Sequence, residues 1–277
     1  MQTMTKNILW MLCCAIVLLG GACKSEFEKL RVSGNPDAIL RKAFEYYEDK
    51  KYQKAQTLFE LVLSNIKARP DAEKANFQYA YTHYYLKQYV LGAYYFKNFS
   101  NMYVNSPERE EASYLSAYCN YLQSPIYKLD QGPTMAAIEE FQVFVNLFPS
   151  STRVQECNGL IDEMRRKLEQ KAFFEGELYY NLRQYQSAVI SFDNLLKDYP
   201  ESPDIERVRY LIAKSLYLFS SNSVVEKKQD RYNDTVKRCE DFLAKYPEGK
   251  YTKEIFSIRK NAQKELKILA KSAKIRT

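Results

Sequence analysis

The chain has 277 residues, 46% of them apolar and 27% charged, with only 8 glycines and 9 prolines. That is enough apolar content to bury a continuous core, and it excludes a long disordered or collagen-like tract. A net charge of +7 and a single histidine give little footing to nucleic-acid binding or to acid–base chemistry, while 24 tyrosines raise the aromatic content to 14%.

Residues 1–22 stand apart. Lys6 precedes an uncharged run from Asn7 to Ala22 that ends in Gly20-Gly21-Ala22-Cys23. The run falls short of the ~20 apolar residues a spanning helix needs and reads as an export signal. The small residues before Cys23 resemble a bacterial lipobox, although Gly20 stands where leucine is favoured. The resemblance implies that Cys23 is acylated and becomes the mature N-terminus, and an ordinary cleaved secretory signal is the alternative. Residues 23–35 are polar and read as a short tether.

From Pro36 onward the chain repeats itself. Small residues at Ala43, Ala80 and Ala117 are 37 residues apart, and so are Gly176 and Ala213 after one longer step of 59. A period of this length means stacked helix pairs. The second helix of each pair gives an independent check: Tyr52-x2-Ala55-x3-Phe59, Tyr89-x2-Gly92-x3-Phe96 and Tyr185-x2-Ala188-x3-Phe192, with a weaker copy in Tyr232-x2-Thr235-x3-Cys239. In three units the two small positions are 12 residues apart, as close packing of two helices requires. Pro70, Pro107, Pro149, Pro200 and Pro247 end the pairs, since proline lacks the amide donor.

Two units depart from this spacing. Extra residues fall around Ser124-Pro125 to Gly132-Pro133 and around Ser220 to Ser223, and both read as hairpin-tip loops. Val154 to Lys171, in the longer step, reads as an extended helix dividing the array. The expected organisation is repeats one to three over 36–150, the long helix with repeats four and five over 151–249, and a basic capping helix over 250–277. Ile255, Ile258, Leu266 and Leu269 are its expected apolar face, and contact of its basic face with an acidic partner or lipid headgroups is the alternative to a solvated cap.

Chemistry finds little support. His83 occupies a core position of its repeat. Glycines beyond the signal are too far apart for a phosphate-cradling loop. Asp162-Glu163 beside Arg165-Arg166 read as surface ion pairs. Cys119, Cys157 and Cys239 are widely spaced and suit buried apolar positions, with a Cys119–Cys157 disulfide as the minor alternative. No metal site, cofactor or nucleic-acid partner is expected beyond the lipid on Cys23.

The pattern from Pro36 to about Pro247 resembles the tetratricopeptide repeat, without its tryptophan and with His83 in one tyrosine place. The expected fold is therefore all-α, a right-handed superhelical solenoid of about five helix pairs. Together with the lipobox, the sum of features is similar to the BamD family, outer-membrane lipoproteins of the β-barrel assembly machinery. This resemblance implies a non-catalytic, lipid-anchored protein on the periplasmic side of the outer membrane. Its implied partners are a BamA-like barrel subunit and unfolded outer-membrane proteins. A general periplasmic repeat lipoprotein that organises cell-wall enzymes is the alternative, and an anchored serine–lysine enzyme a remote third.

In tetratricopeptide repeats, first-helix residues three and four apart line the concave face. That implies a peptide-binding groove of Leu40, Phe44 and Tyr47, of Phe77, Tyr81, Tyr84 and Tyr85, and of Tyr114, Tyr118 and Tyr121, suited to an aromatic-rich strand, with Lys74 or Arg41 near a carboxylate. The matching stripe of Phe173, Glu177 and Tyr180 with Tyr210, Lys214 and Tyr217 is more mixed in polarity. It is expected to meet the folded partner.

Overall fold

The computed structural model describes residues 26–276, with side chains from Phe27 to Ser272. The signal segment and Cys23 lie outside the described residues. Twelve α-helices and no strand occur among the described residues. They are α1 (Glu26–Arg31), α2 (Pro36–Glu48), α3 (Tyr52–Val62), α4 (Ala72–Tyr85), α5 (Tyr89–Met102), α6 (Arg109–Gln123), α7 (Gly132–Leu147), α8 (Val154–Asn181), α9 (Tyr185–Asp198), α10 (Ile205–Ser221), α11 (Val225–Lys245) and α12 (Thr252–Arg276). The five expected pairs are α2/α3, α4/α5, α6/α7, α8/α9 and α10/α11, and α12 follows them.

Close packing explains the repeated residue types. Ala43, Ala55, Ala80, Ala117, Ala137, Ala188, Ala213 and Thr235 are all fully buried, as are the aromatics Phe59, Phe96, Phe141 and Phe192. Gly176 shows the constraint most sharply. A Cβ there would lie 2.6 Å from Phe192 Cδ1, well inside van der Waals contact.

Three hairpins turn in the same way. Lys50, Lys87 and Arg183 each lie seven residues after the small residue of their first helix and adopt φ of 58°, 58° and 61°. In each case the amide of this residue and the next bond back to the helix end. Lys50 N donates to Tyr47 O and Lys51 N to Tyr46 O, with the same pairs at Lys87/Gln88 and Arg183/Gln184, all between 2.8 and 3.0 Å. These are Schellman closures, which satisfy helix-end carbonyls at the cost of a left-handed residue.

Linkers between hairpins also repeat. Ser106 N and Ser202 N donate to Tyr103 O and Tyr199 O, both at 3.1 Å. Their hydroxyls then accept from Glu108 N and Asp204 N, forming a serine turn just ahead of each next helix.

The described residues divide into two compact units, one of residues 26–123 and 139–151, the other of 124–138 and 152–276. In the first, Ile39, Leu40, Ala43, Tyr46, Leu58, Phe59, Val62, Ile66 and Tyr79 form a common core. In the second, Phe192, Leu195, Val208, Leu211, Ile212, Cys239 and Phe242 do so, and Ile255 and Ile258 of α12 complete it. Leu266 and Leu269 are half-buried along the same line of α12.

Three expectations change. Residues 26–31, expected to be tether, form α1, whose Phe27 and Leu30 pack on the first core, with the Phe27 ring 6.0 Å from Tyr46. The excess in the fifth pair is not a loop: only Asn222 to Val224 separate α10 from α11, and both helices lengthen instead. Helices absorb the residues because Val225 to Arg231 contains no glycine or proline to break them. The excess in the third pair is a loop, at residues 124–131, but it is docked. Lys167 donates to Ser124 Oγ at 2.8 Å, Lys171 to Leu129 O at 3.1 Å, and Tyr127 meets Phe174 edge-on at 5.8 Å.

Candidate polypeptide-binding face

The first helices α2, α4 and α6 of the first unit carry the aromatic stripe. Numbered from the small residue of each helix, its members fall three before, one after and four after, with Tyr85 five after. Burial differs among them, and also within the first register, where Phe77 is half-buried. Leu40 and Tyr114, three before, are buried in the core, and Tyr114 lies against Phe141 and Phe144 at 6.1 and 5.9 Å. These two were expected to line the groove. Leu40, though buried, still lines the larger cleft described below, whereas Tyr114 is a core residue beneath the face. Phe44, Tyr81 and Tyr118, one after, and Tyr47, Tyr84 and Tyr121, four after, are half-buried, as is Phe77; Tyr85 is 45% exposed.

These rings touch one another. Tyr85 stacks on Tyr52 at 4.3 Å and on Tyr81 at 5.5 Å, and Tyr47 sits 5.7 Å from Tyr52 and 6.4 Å from Tyr85. Tyr81 continues to Phe77 at 5.0 Å and Phe96 at 5.1 Å. On α6, Tyr114, Tyr118 and Tyr121 form their own stacked ladder with centroids 5.6 and 5.7 Å apart. Tyr52 is the member that sequence reasoning left out of the groove. It was used as a repeat marker, and its place at the first turn of α3, just past the left-handed turn, is what brings it onto Tyr85.

Burial raises the pKa of Tyr47, helped by the neighbouring Tyr85 and Tyr52. Burial also raises that of Tyr81, whose hydroxyl donates to Glu111. Both stay protonated at neutral pH and can act as hydrogen-bond donors.

Two clefts adjoin this face and share Lys74. The larger, about 740 Å³, is lined by Asp37, Leu40, Arg41, Phe44, Glu45, Glu48, Asp49, Arg69, Asp71 and Lys74. Five of these side chains are acidic and three basic. Arg69 is already bound by Asp37 and Asp71, at 2.5 and 3.3 Å, and the Lys74 ammonium rests 4.9 Å from the Phe44 ring centre. With this surplus of acid the cleft as a whole does not attract a carboxylate, so the role expected of Lys74 or Arg41 would rest on the single cation alone. The smaller cleft, about 360 Å³, is lined by Pro70, Glu73, Lys74, Phe77, Gln78, Phe99 and Glu108. Gln78 is buried, and its Oε1 has no hydrogen-bond partner. Such an acceptor is costly to leave unpaired and suits a backbone N–H supplied from outside.

In the second unit the corresponding stripe is largely satisfied internally. Arg207 pairs with Glu177 and lies 4.6 Å over Phe173. Tyr180 meets Tyr185 edge-on at 5.9 Å, and Tyr217 lies 6.1 Å from Tyr232. Tyr210, three before the small residue, is buried and stacks on Tyr251 at 4.3 Å. Lys214 donates to Tyr210 Oη at 2.7 Å and pairs with Glu254 at 3.0 Å. Burial disfavours the charge on Lys214, but the bonds to Tyr210 and Glu254 outweigh it and its pKa rises.

His83 is buried among Gln56, Gln88 and the rings of Tyr79 and Tyr95, with Nδ1 2.7 Å from Gln88 Oε1. Burial lowers its pKa, so it is neutral. Among the described residues, Cys119, Cys157 and Cys239 are free, buried thiols. No cluster of three or more His, Cys, Asp or Glu residues that could hold a metal occurs there either, and no described helix is long and apolar enough to cross a membrane.

The profile of the YfiO family, described as outer membrane lipoprotein, matches residues 33–173 and 177–274, which is nearly all of the repeat array and the capping helix. The chain belongs to this family. A relative from Aquifex aeolicus (strain VF5), named as an outer membrane protein assembly factor, BamD, is 24% identical over 238 residues, covering 84% of this chain and 77% of the relative. Among solved structures, a kinesin-light-chain-like protein of Podospora anserina with nearly identical TPR-like repeats matches 78% of this chain and all of its own at 12% identity and a TM-score of 0.32. The apo form of RapI matches 83% of this chain and 82% of its own at 15% identity and a TM-score of 0.29. Membership of the YfiO family makes the protein that carries this aromatic face and its clefts an outer-membrane lipoprotein.

Proposed function

We propose that the chain is a non-catalytic periplasmic subunit that holds unfolded β-barrel chains on the aromatic face of its first unit and a BamA-like barrel protein on its second. The reading rests on one observation: the half-buried rings of α2, α4 and α6 form a contact surface beside a buried acceptor, Gln78 Oε1, that lacks a partner. An extended strand offers what this surface lacks, alternate aromatic side chains and free backbone amides. The acidic surplus of the larger cleft favours the body of such a strand over its terminal carboxylate.

Attachment is through an acyl group on Cys23, with no other cofactor. Cys23 is three residues before α1, so an extended link reaches only about 10 Å. The first hairpin would then sit close to the membrane surface, nearer than a tether of a dozen residues would hold it.

The test is binding of a peptide copied from the last strand of a β-barrel protein to the full mature chain. Replacing Tyr47 and Tyr85 with alanine is expected to weaken binding at least about tenfold, or about 1.4 kcal/mol, without changing helicity. Unchanged affinity would remove the face from the mechanism. Purification of the acylated chain from detergent extract tests the second partner. Recovery of wall synthases or hydrolases in place of a barrel subunit would favour the alternative reading.

A further inference from the structure

Almost the whole net charge of the protein resides on one helix. Helix α12 contains eight basic and two acidic residues, a surplus of six, against +7 for the full chain. The adjoining α11 brings six bases and five acids and so does not cancel it.

The placement of these charges follows from helix geometry. Ile255, Ile258 and Ala262 are buried, and Leu266 and Leu269 continue their line half-buried. At 3.6 residues per turn, Lys253, Lys260, Lys264, Lys267 and Lys271 fall on a narrow row directly opposite that line. All five are exposed, and none has an acidic partner among the described residues. At 1.5 Å per residue the row is about 27 Å long. Exposed apolar side chains flank it, Phe256 on one side and Ile268 on the other. The two acids are turned to the flanks, where Glu254 pairs with Lys214 at 3.0 Å and Glu265 acts on buried Tyr232.

We propose that the outer face of α12 lies on an anionic phospholipid bilayer, with the five lysines on headgroup phosphates and Phe256 and Ile268 dipping between them. A flat, dense, negatively charged surface complements a straight row of ammonium groups. The flanking apolar side chains gain nothing from a soluble polyanion but are buried at a bilayer interface. In a family of outer-membrane lipoproteins that surface is within reach. It would give the protein a second attachment besides its N-terminus, fixing how the second unit is held. The inference goes beyond the proposed substrate and partner binding and does not depend on it.

Flotation with vesicles tests it on the full mature chain carrying Cys23→Ser, so that no acyl group contributes. Binding is expected to vesicles of phosphatidylcholine with 30% phosphatidylglycerol, to be absent with phosphatidylcholine alone, and to be lost at high salt. Each lysine of the row changed to glutamine should weaken binding about fivefold. A control with Lys87, Lys197, Lys227, Lys237 and Lys245 changed to glutamine, all exposed elsewhere, removes the same charge and should bind as before. Phe256→Ser with Ile268→Ser should weaken binding while keeping its dependence on phosphatidylglycerol. Binding that ignores phosphatidylglycerol, equal losses in the row and control variants, or no effect of the apolar pair would each overturn the proposal. Retained helicity of every variant separates these outcomes from misfolding.

Discussion

Helix α8 contains two glycines whose conversion to alanine should move stability in opposite directions. At Gly159 a new Cβ meets nothing within 4 Å. Gly159→Ala is then a helix-propensity change alone, expected to stabilise by about 0.5–1 kcal/mol. At Gly176 the Cβ would lie 2.6 Å from Phe192 Cδ1 and 2.8 Å from Cζ, and nearer still to Cε1. Ordinary carbon contacts lie near ~3.5–4.0 Å, so the ring must retreat by about 1 Å. Phe192 is fully buried and has Phe173 at 5.9 Å, so it has little room to do so. Overpacking costs about 1–3 kcal/mol, and three contacts this short put the site in the upper part of that range, about 2–3 kcal/mol, so that after the propensity gain a net loss of about 1–2 kcal/mol remains. In thermal melts followed by circular dichroism, that is a fall of about 2–8 °C against a small rise for Gly159→Ala. In Gly176→Ala/Phe192→Leu the smaller side chain should recover part of the loss, showing that the two positions are coupled. If Gly176→Ala raises the midpoint as Gly159→Ala does, close approach of the paired helices is not what selects the small residues, and the packing argument for the repeat fails.

Arg183→Gly relieves a left-handed residue at an exposed turn and should stabilise by up to about 1 kcal/mol in urea titrations, whereas Arg183→Val should destabilise. His83 is the only histidine, and burial holds its imidazole below the ordinary value. The unfolded chain therefore takes up a proton that the folded chain refuses. Stability should fall as pH drops through about 6.5 toward the folded value, and unfolding of His83→Gln measured from pH 7.5 to 5.5 should lack this step. Burial pushes the Cys119 and Cys239 thiols up to about 12 and Cys157 up to about 11. All three should resist a thiol reagent at pH 8 in the folded protein and react promptly in denaturant.

What could be read in the sequence was whatever packing dictates strictly. Two surfaces that approach closely admit only small residues, so Ala43, Ala80, Ala117, Gly176 and Ala213 announce the pairs, and the prolines mark where each pair ends. Features without a fixed residue type were hidden. Left-handed turns usually show glycine, but here they carry Lys50, Lys87 and Arg183, and only their common distance from the small residue betrays them. Helix α1 was obscured by its charges, although Phe27 and Leu30 are spaced as one face of a helix. The longer α11 was obscured similarly, since Glu226 to Arg231 show no apolar period. For the candidate face, a stripe of residues three and four apart gives a direction but not a depth. Leu40, Tyr114 and Tyr210 are buried while Phe77 and Phe173 in the same register are half-buried, so depth is decided by the neighbouring side chains and not by the spacing.

The repeat also explains which charges remain for recognition. Seven residues before the small residue of the first helix, the last four units carry Glu73, Glu110, Glu169 and Glu206. In three of them the carboxylate accepts from the linker that leaves the same hairpin. Glu110 accepts from Ser151 Oγ at 2.6 Å, Glu169 from Ser202 Oγ, and Glu206 from Tyr251 N at 3.3 Å. Gly249 stands at the serine place of the last linker because Glu206 fills the space: a Cβ there would lie 3.0 Å from the Glu206 carboxyl carbon. Each such bond ties a hairpin's exit to its own first helix. Glu73, Glu110 and Glu206 also lie in the first turn of their helices, where the dipole favours a negative charge. Carboxylates used in this way are committed to the array, and Glu111, Glu177 and Glu254 are committed to Tyr81, Arg207 and Lys214. The rings beside Gln78 and the lysine row of α12 are not committed in this way, so the two proposed contacts, with polypeptide and with a charged surface, would arise at different places on the chain.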